Sequence, residues 1–241
     1  MRALASGSSG PSTSPSSRRK STPRPSSTVC RGQPGRPRGR PGPKTTTWYD
    51  REQTQRFLKH CQRVRPQWHA FFATALRTGL RQGELAALEW HDLDLGDHPR
   101  VHVRRAITEG HAGSPKSGLA RIVPLPSDLV AILKAHPRRL GTELVFPARD
   151  GGYLTNSCCW KRLQLVQRSA GMPFTSVHDL RHSYASQLAM AGVPLSVIQS
   201  YLGHADIETT MRYAHLCPRE RDRYLERLVE SSARLDVMED G

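Results

Sequence analysis

The chain has 241 residues, 36 Lys and Arg against 21 Asp and Glu, a formal net charge of +15 and a pI near 10.4. That length gives room for one or two domains, and the charge points to a polyanionic partner, nucleic acid foremost. No apolar run approaches the ~18 residues of a membrane span, the amino end lacks the apolar core of a secretory signal, and five cysteines, two of them adjacent at Cys158-Cys159, suit reduced thiols in a cytosol better than a disulfide framework.

Residues 1–47 hold ten of the basic residues and no acidic or aromatic one, and are otherwise rich in Ser, Pro, Gly and Thr. Such a segment buries too little apolar surface to offset the entropy of ordering, which predicts a disordered basic tail. It leaves about +5 (26 basic against 21 acidic) for residues 48–241. Composition shifts at Trp48. Helical spacing runs over Asp50–Cys61, with Phe57 and Leu58 inward, and over Gln67–Thr78, with Trp68, Phe71, Phe72, Ala75 and Leu76 inward. A short helix follows at Gly83–Trp90, burying Leu85 and Leu88. Val101–Ala106 and Arg121–Leu125 are β-type runs, and Thr108–Gly118 between them, with three glycines and a proline, reads as the long mobile turn of a hairpin. Helical patterning returns at Asp128–His136, Cys158–Ala170, His178–Ala191, Leu195–Leu202, Glu208–His215 and Arg219–Ser231. The expected fold is mainly α with one small antiparallel β-sheet inserted (α+β), occupying residues 48–241 behind the tail.

Several residues along these elements carry possible chemistry. Ser176-Val177-His178-Asp179 fits a capping box, fixing a helix start with Val177, Leu180, Tyr184 and Leu188 as its buried stripe. On an ideal wheel His178 and Arg181 lie ~60° apart on one flank of that stripe, in the first turn, where unpaired amides favour an anion. The alternative is a surface pair between Asp179 and Arg181 or His182. His178 and His182 are spaced as in helical zinc sites, but the glutamate of a zincin is absent and no third ligand has suggestive spacing, so neither metal nor cofactor is expected. Lys116 sits in the hairpin turn of a chain that carries thirty arginines and six lysines; an ammonium can release a proton where a guanidinium scarcely does, although a lone loop lysine is usually solvated. Arg81, in Thr78-Gly79-Leu80-Arg81, lies one turn before Glu84, either as an ordinary ion pair or as a cation that Glu84 steadies toward a ligand. His204 follows Gly203, a helix stop for Leu195–Leu202. Tyr213 sits on a segment that Asp206 can cap, with Ile207 and Met211 packing inward, and most tyrosines in such positions belong to a core.

Taken together, Thr-Gly-Leu-Arg81-Gln-Gly-Glu84-Leu, the hairpin Lys116, His178-Asp-Leu-Arg181-His182, Leu-Gly-His204 and Thr-Thr-Met-Arg-Tyr213-Ala-His resemble, in order and spacing, the catalytic domain of the tyrosine recombinases, the phage integrase family, from about Trp48 to Val229. The resemblance implies that Tyr213 attacks a scissile phosphate of double-stranded DNA, giving a 3′-phosphotyrosine and a free 5′-hydroxyl without metal or ATP. It implies that Arg81 and Arg181 hold the non-bridging oxygens, that Lys116 protonates the leaving 5′-oxygen, that His178 assists the tyrosine's proton, and that His204 hydrogen-bonds the phosphate, with Glu84, Asp179 and His182 in support. It further implies a tetramer on DNA, action at the nucleoid in the cytoplasm, and a helical core-binding domain ahead of the catalytic one. Residues 1–47 show no helical periodicity, so that clamp is expected to be absent or supplied by a separate domain or accessory protein. A type IB topoisomerase-like strand transferase and a DNA-binding remnant without recombination activity are the competing readings.

Overall fold

The computed structural model describes residues 48–108, 110–114 and 120–218. The expected tail at 1–47, Lys116 and the expected helix Arg219–Ser231 lie outside the described residues.

Helix α1 (Arg51–Val64) starts where the Asp50 carboxylate accepts from the Gln53 amide at 2.7 Å and the Gln53 side chain accepts from the Asp50 amide at 3.1 Å, a reciprocal cap. Helix α2 (Pro66–Thr78) opens on a proline whose missing N–H costs nothing in the first turn. Phe57 of α1 meets Phe72 of α2 edge-on at 5.5 Å, and Phe71 meets Phe72 in the same manner at 5.4 Å. These rings form the aromatic centre of the core, as their spacing in the sequence requires. Gly79 ends α2 at φ +63°, and a Cβ there would lie 2.5 Å from the ring of Tyr184. Only glycine can make this turn so close to the helix beyond it.

Helix α3 (Gln82–Ala86) is shorter than expected, and Trp90–Asp92 forms a separate 3₁₀ turn, yet Leu85 and Leu88 are both buried. Five short strands follow: β1 (Leu93–Asp94), β2 (Arg100–Val103), β3 (Ala106–Thr108), β4 (His111–Gly113) and β5 (Arg121–Pro124). Antiparallel pairing in the order β1-β2-β5, with Val101 opposite Val123, builds one sheet. The stretch expected as a long mobile turn pairs β3 with β4 in a two-stranded ribbon of its own, so the described residues hold two small sheets where one was expected.

The remaining helices are α4 (Ser127–Lys134), α5 (Asn156–Ala170), α6 (Val177–Met190), α7 (Leu195–Leu202) and the single turn α8 (Glu208–Met211), followed by a 3₁₀ turn at Ala214–Leu216. Leu129, Leu133, Leu163 and Leu180 join the aromatic core, and a smaller cluster gathers Tyr184, Ala185, Ala189, Ile198, Leu202 and Tyr213. Ile207 and Met211, expected inward, are exposed, and Thr210 and Tyr213 are buried instead. The α-helical wheel does not extend through this segment, because α8 lasts one turn before the backbone tightens. Among the described residues no helix is long and apolar enough to cross a membrane.

Candidate active site

Arg81 caps α3. Its backbone amide donates to Glu84 Oε2 at 2.7 Å, its Nη1 to Glu84 Oε1 at 3.0 Å, and its Nη2 to the carbonyl of Gly203 at 3.0 Å. Glu84 is buried and serves a second cation, since Arg121 of β5 donates Nη1 to Oε1 at 2.8 Å and Nη2 to Oε2 at 2.7 Å. Burial works against this carboxylate, but the hydrogen bonds and charge of Arg121, and then of Arg81, hold it below the usual carboxylate range.

Arg181 reaches from α6 to the same place. Its Nη1 donates to the carbonyl of Gly79 at 2.7 Å and its Nη2 to that of Leu202 at 2.6 Å, with the residue 2% exposed. Among the described residues it makes no ion pair. Burial, and then the neighbouring charge of Arg81, pull its guanidinium down to about 9, which still leaves it mostly charged at neutral pH. Two guanidiniums thus share one carboxylate, with a third, that of Arg181, held nearby on backbone carbonyls. An excess of buried cation is costly unless an anion shares the site.

The capping box at the start of α6 forms as expected. Asp179 Oδ2 accepts from the Ser176 amide at 2.7 Å and its hydroxyl at 2.8 Å, while the Asp179 amide donates back to Ser176 Oγ at 3.2 Å. Asp179 is thereby committed to the helix end rather than to an ion pair with Arg181 or His182. His178 sits exposed in the first turn, its ring edge-on to His182 at 4.6 Å between centroids. Partial desolvation by the groups packed around its ring, and then the Arg181 charge, lower its basicity. The buried His182 presents Nδ1 to the hydroxyl of Tyr213 in a hydrogen bond. Burial, followed by the charges of His178 and Arg212, brings His182 down to about 4. It is therefore a neutral imidazole at pH 7, and a phenol can donate to it. Tyr213 is 4% exposed, and burial raises its pKa above that of a free tyrosine against the opposing pull of Arg212 and Arg181.

His204 leaves α7 through Gly203, at φ +64°, and its Nδ1 bonds Thr210 Oγ1 of α8 at 2.9 Å. Burial, and then the charges of Arg181 and Arg81, hold it near 4. The fold therefore brings Arg81, Glu84, His178, Arg181, His182, His204 and Tyr213 into one place from α3, α6, the α7–α8 corner and the turn after α8, with Asp179 securing the helix that carries three of them. The contact with the tyrosine hydroxyl belongs to His182, where the resemblance implied a proton role for His178. Arg121 is the residue that sequence reasoning passed over, and a signal for it existed. Along β5, Arg121 and Val123 share the inward side while Ile122 is half exposed, so alternation puts a charged residue on the buried face of a strand.

A tyrosine hydroxyl on a neutral base, beside two guanidiniums with spare positive charge, is equipped to attack a phosphodiester and to hold the oxygens that gain charge.

Comparison with known proteins shows the family and the fold. The sequence model described as the phage integrase family matches residues 47–220. A tyrosine recombinase XerC-like protein of Caldanaerobacter subterraneus is 31% identical over 189 residues, covering 66% of this chain and 48% of that protein. The integrase of Salmonella phage P22 is 30% identical over 191 residues, covering 74% of this chain and 46% of that protein. This chain thus spans about half the length of these relatives. Among solved structures, the integrase of transposon Tn1549, in complex with a circular intermediate DNA, superposes with a TM-score of 0.65 at 21% identity over 76% of this chain and 66% of that one. The catalytic domain of bacteriophage HP1 integrase does so with a TM-score of 0.56 at 23% identity, over 75% of this chain and 94% of that one.

Proposed function

This chain belongs to the phage integrase family, the tyrosine recombinases, and from that premise we infer that it breaks and rejoins strands of double-stranded DNA at specific sites through a covalent phosphotyrosine. The observation that carries the reading is the pairing of the Tyr213 hydroxyl with His182 beside a cluster of arginines that outnumbers its one carboxylate.

In the cleavage step His182 accepts the phenolic proton as the Tyr213 oxygen bonds to phosphorus. The bond from phosphorus to the 5′-oxygen breaks, leaving a 3′-phosphotyrosine. Arg81 and Arg181 stabilise charge on the non-bridging oxygens, each such donor contributing ~3–4 kcal/mol. Lys116 delivers the proton that the departing 5′-oxygen takes up. His204, steadied by Thr210, donates to a phosphate oxygen, and His178 buttresses His182. An incoming phosphate also balances the excess cation, which raises the basicity of His182 and His204 as the reaction needs it. The phosphotyrosine conserves the energy of the broken linkage, so a 5′-hydroxyl from another strand reverses the step, and recombination results when that strand comes from a new partner. Exchange between two duplexes requires more than one active site, hence self-association on DNA as a tetramer.

Two assays separate this reading from its competitors. Incubation with a plasmid bearing two copies of a candidate site yields exchanged products if the chain recombines. Relaxation of supercoils without exchange would assign it to the topoisomerase-like class, and neither product would leave a DNA-binding remnant.

A further inference from the structure

Among the described residues the Arg81 guanidinium has two partners, the Glu84 carboxylate and the Gly203 carbonyl, and one side chain lies against both. Arg121 grips the two oxygens of Glu84 at 2.8 and 2.7 Å, and a Cβ on Gly203 would stand 2.9 Å from its Cδ. Its Nε donates to the carbonyl of Tyr201 at 2.7 Å, which ties down the corner leading to Gly203 and His204. We propose that Arg121 is a positioning residue for the phosphoryl site, holding Arg81 turned toward the substrate and the 201–204 corner closed against it. The proposal rests on reading Arg81 as a phosphate ligand.

Arg121 and Arg81 compete for one carboxylate. Guanidinium and carboxylate prefer a two-pronged pairing. Arg121 takes that arrangement with Glu84 and leaves Arg81 a single prong and a backbone bond, so that Nη2 of Arg81 is spent on a carbonyl rather than an anion. Removing Arg121 leaves Glu84 buried with one cation, and the fork of Arg81 then turns onto it, away from the phosphate. Arg121 is itself no substrate ligand. Its side chain is 7% exposed, and Nε, Nη1 and Nη2 are each in use. The strand that carries it is held in register by β2, with Arg121 opposite Val103.

The test uses the full chain and four variants, Arg121→Met, Arg121→Lys, Glu84→Gln and the double variant Arg121→Met/Glu84→Gln, each checked for folding by circular dichroism. Two probes are read. Orthovanadate affinity, by isothermal titration calorimetry, reports the phosphoryl site without chemistry. Single-turnover release of p-nitrophenolate from thymidine 3′-(p-nitrophenyl phosphate) reports attack: the bond from the Tyr213 oxygen to phosphorus forms, the aryl ester bond breaks, and the phenolic proton passes to His182. Arg121→Met is expected to weaken vanadate binding by at least ~10-fold and to slow release by on the order of 100-fold. The double variant is expected to recover most of both losses, because no carboxylate remains for Arg81 to turn onto, and Arg121→Lys to fall between. A residue that merely supported the fold would make the double variant worse than either single change. Vanadate binding by Arg121→Met at the wild-type level, or a double variant no better than Arg121→Met, overturns the proposal. If Arg121→Met does not fold, Arg121→Lys decides, since it keeps the charge and loses the fork; wild-type affinity in that variant is the overturning result. If the wild-type chain binds vanadate and releases no p-nitrophenolate, the nucleophile assignment fails while the affinity series still judges Arg121. If it does not bind vanadate, Arg121 has no phosphoryl site to position and the proposal is withdrawn.

Discussion

His178 and His182 stand one helical turn apart, and burial separates their work. His182 is enclosed, held near 4 and bonded to the Tyr213 hydroxyl, whereas His178 is exposed and touches the tyrosine only through its neighbour. Replacing His182 with Gln is therefore expected to slow adduct formation by ~10²–10⁴-fold, the ordinary contribution of a positioned base, and to flatten its pH dependence. His178→Gln should slow it less and keep the profile. Single-turnover rates from pH 5 to 9 check this, and a larger loss at His178 would reverse the assignment. Arg81, Glu84, Arg181 and His204 were legible as candidates because each stands at a helix start or a glycine stop, whereas Tyr213, which taken alone reads as a core residue, was singled out only through the family resemblance. The division between the two histidines was not legible, since both lie on the same flank of α6 and only the position of Tyr213 across the fold tells them apart. Arg121 escaped notice for a related reason. Its partners Glu84 and Tyr201 are 37 and 80 residues away, so nothing local in the sequence shows the pairing.

At the scale of elements, punctuation decided what could be read. Helix α7 matches its expected bounds to the residue because Pro194 and Gly203 mark its ends. The β3–β4 ribbon was missed because three-residue strands carry too little alternation to register. That ribbon packs tightly on α3: a Cβ on Gly83 would lie 2.4 Å from the carbonyl oxygen of Ile107. Gly83→Ala should consequently destabilise the fold by ~1–3 kcal/mol, because a strand backbone has to move. Gly113→Ala, whose new carbon meets nothing within 4 Å, should stay within ~0.5 kcal/mol of wild type. Urea denaturation compares them, and equal midpoints would mean that the ribbon does not bear on α3 in solution.

The whole molecule carries two consequences of its charge. His182 and His204 bind their protons more weakly in the fold, near 4, than their ordinary value of 6.5. The unfolded chain thus binds more protons between those limits, and stability is complete above about 6.5 and falls as pH drops toward 4. Denaturation midpoints at pH 7 and pH 5 should show this loss. Exchanging both histidines for Gln should diminish it, and an unchanged loss would place the acid sensitivity elsewhere. The second consequence concerns DNA. We propose that residues 1–47, with ten basic side chains and no acidic one, add affinity by neutralising phosphates and add no sequence preference. Deleting them should flatten the log–log salt dependence of binding by ~0.9 for each phosphate that the segment had neutralised, equally on a candidate site and a scrambled duplex. A selective loss on the candidate site would mean that the segment reads bases.

The proposed function turns on Tyr213 as the nucleophile of a covalent strand transfer. The direct measurement is a denaturing gel of the full chain and its Tyr213→Phe variant with nicked duplexes that trap the cleaved state, followed by mass mapping of the adduct peptide. The account predicts a DNA-linked species in the wild-type chain, with the mass increase on the peptide containing Tyr213, and none in the Phe variant at nearly unchanged DNA affinity. An adduct that persists in Tyr213→Phe, or that maps to another tyrosine, would contradict it.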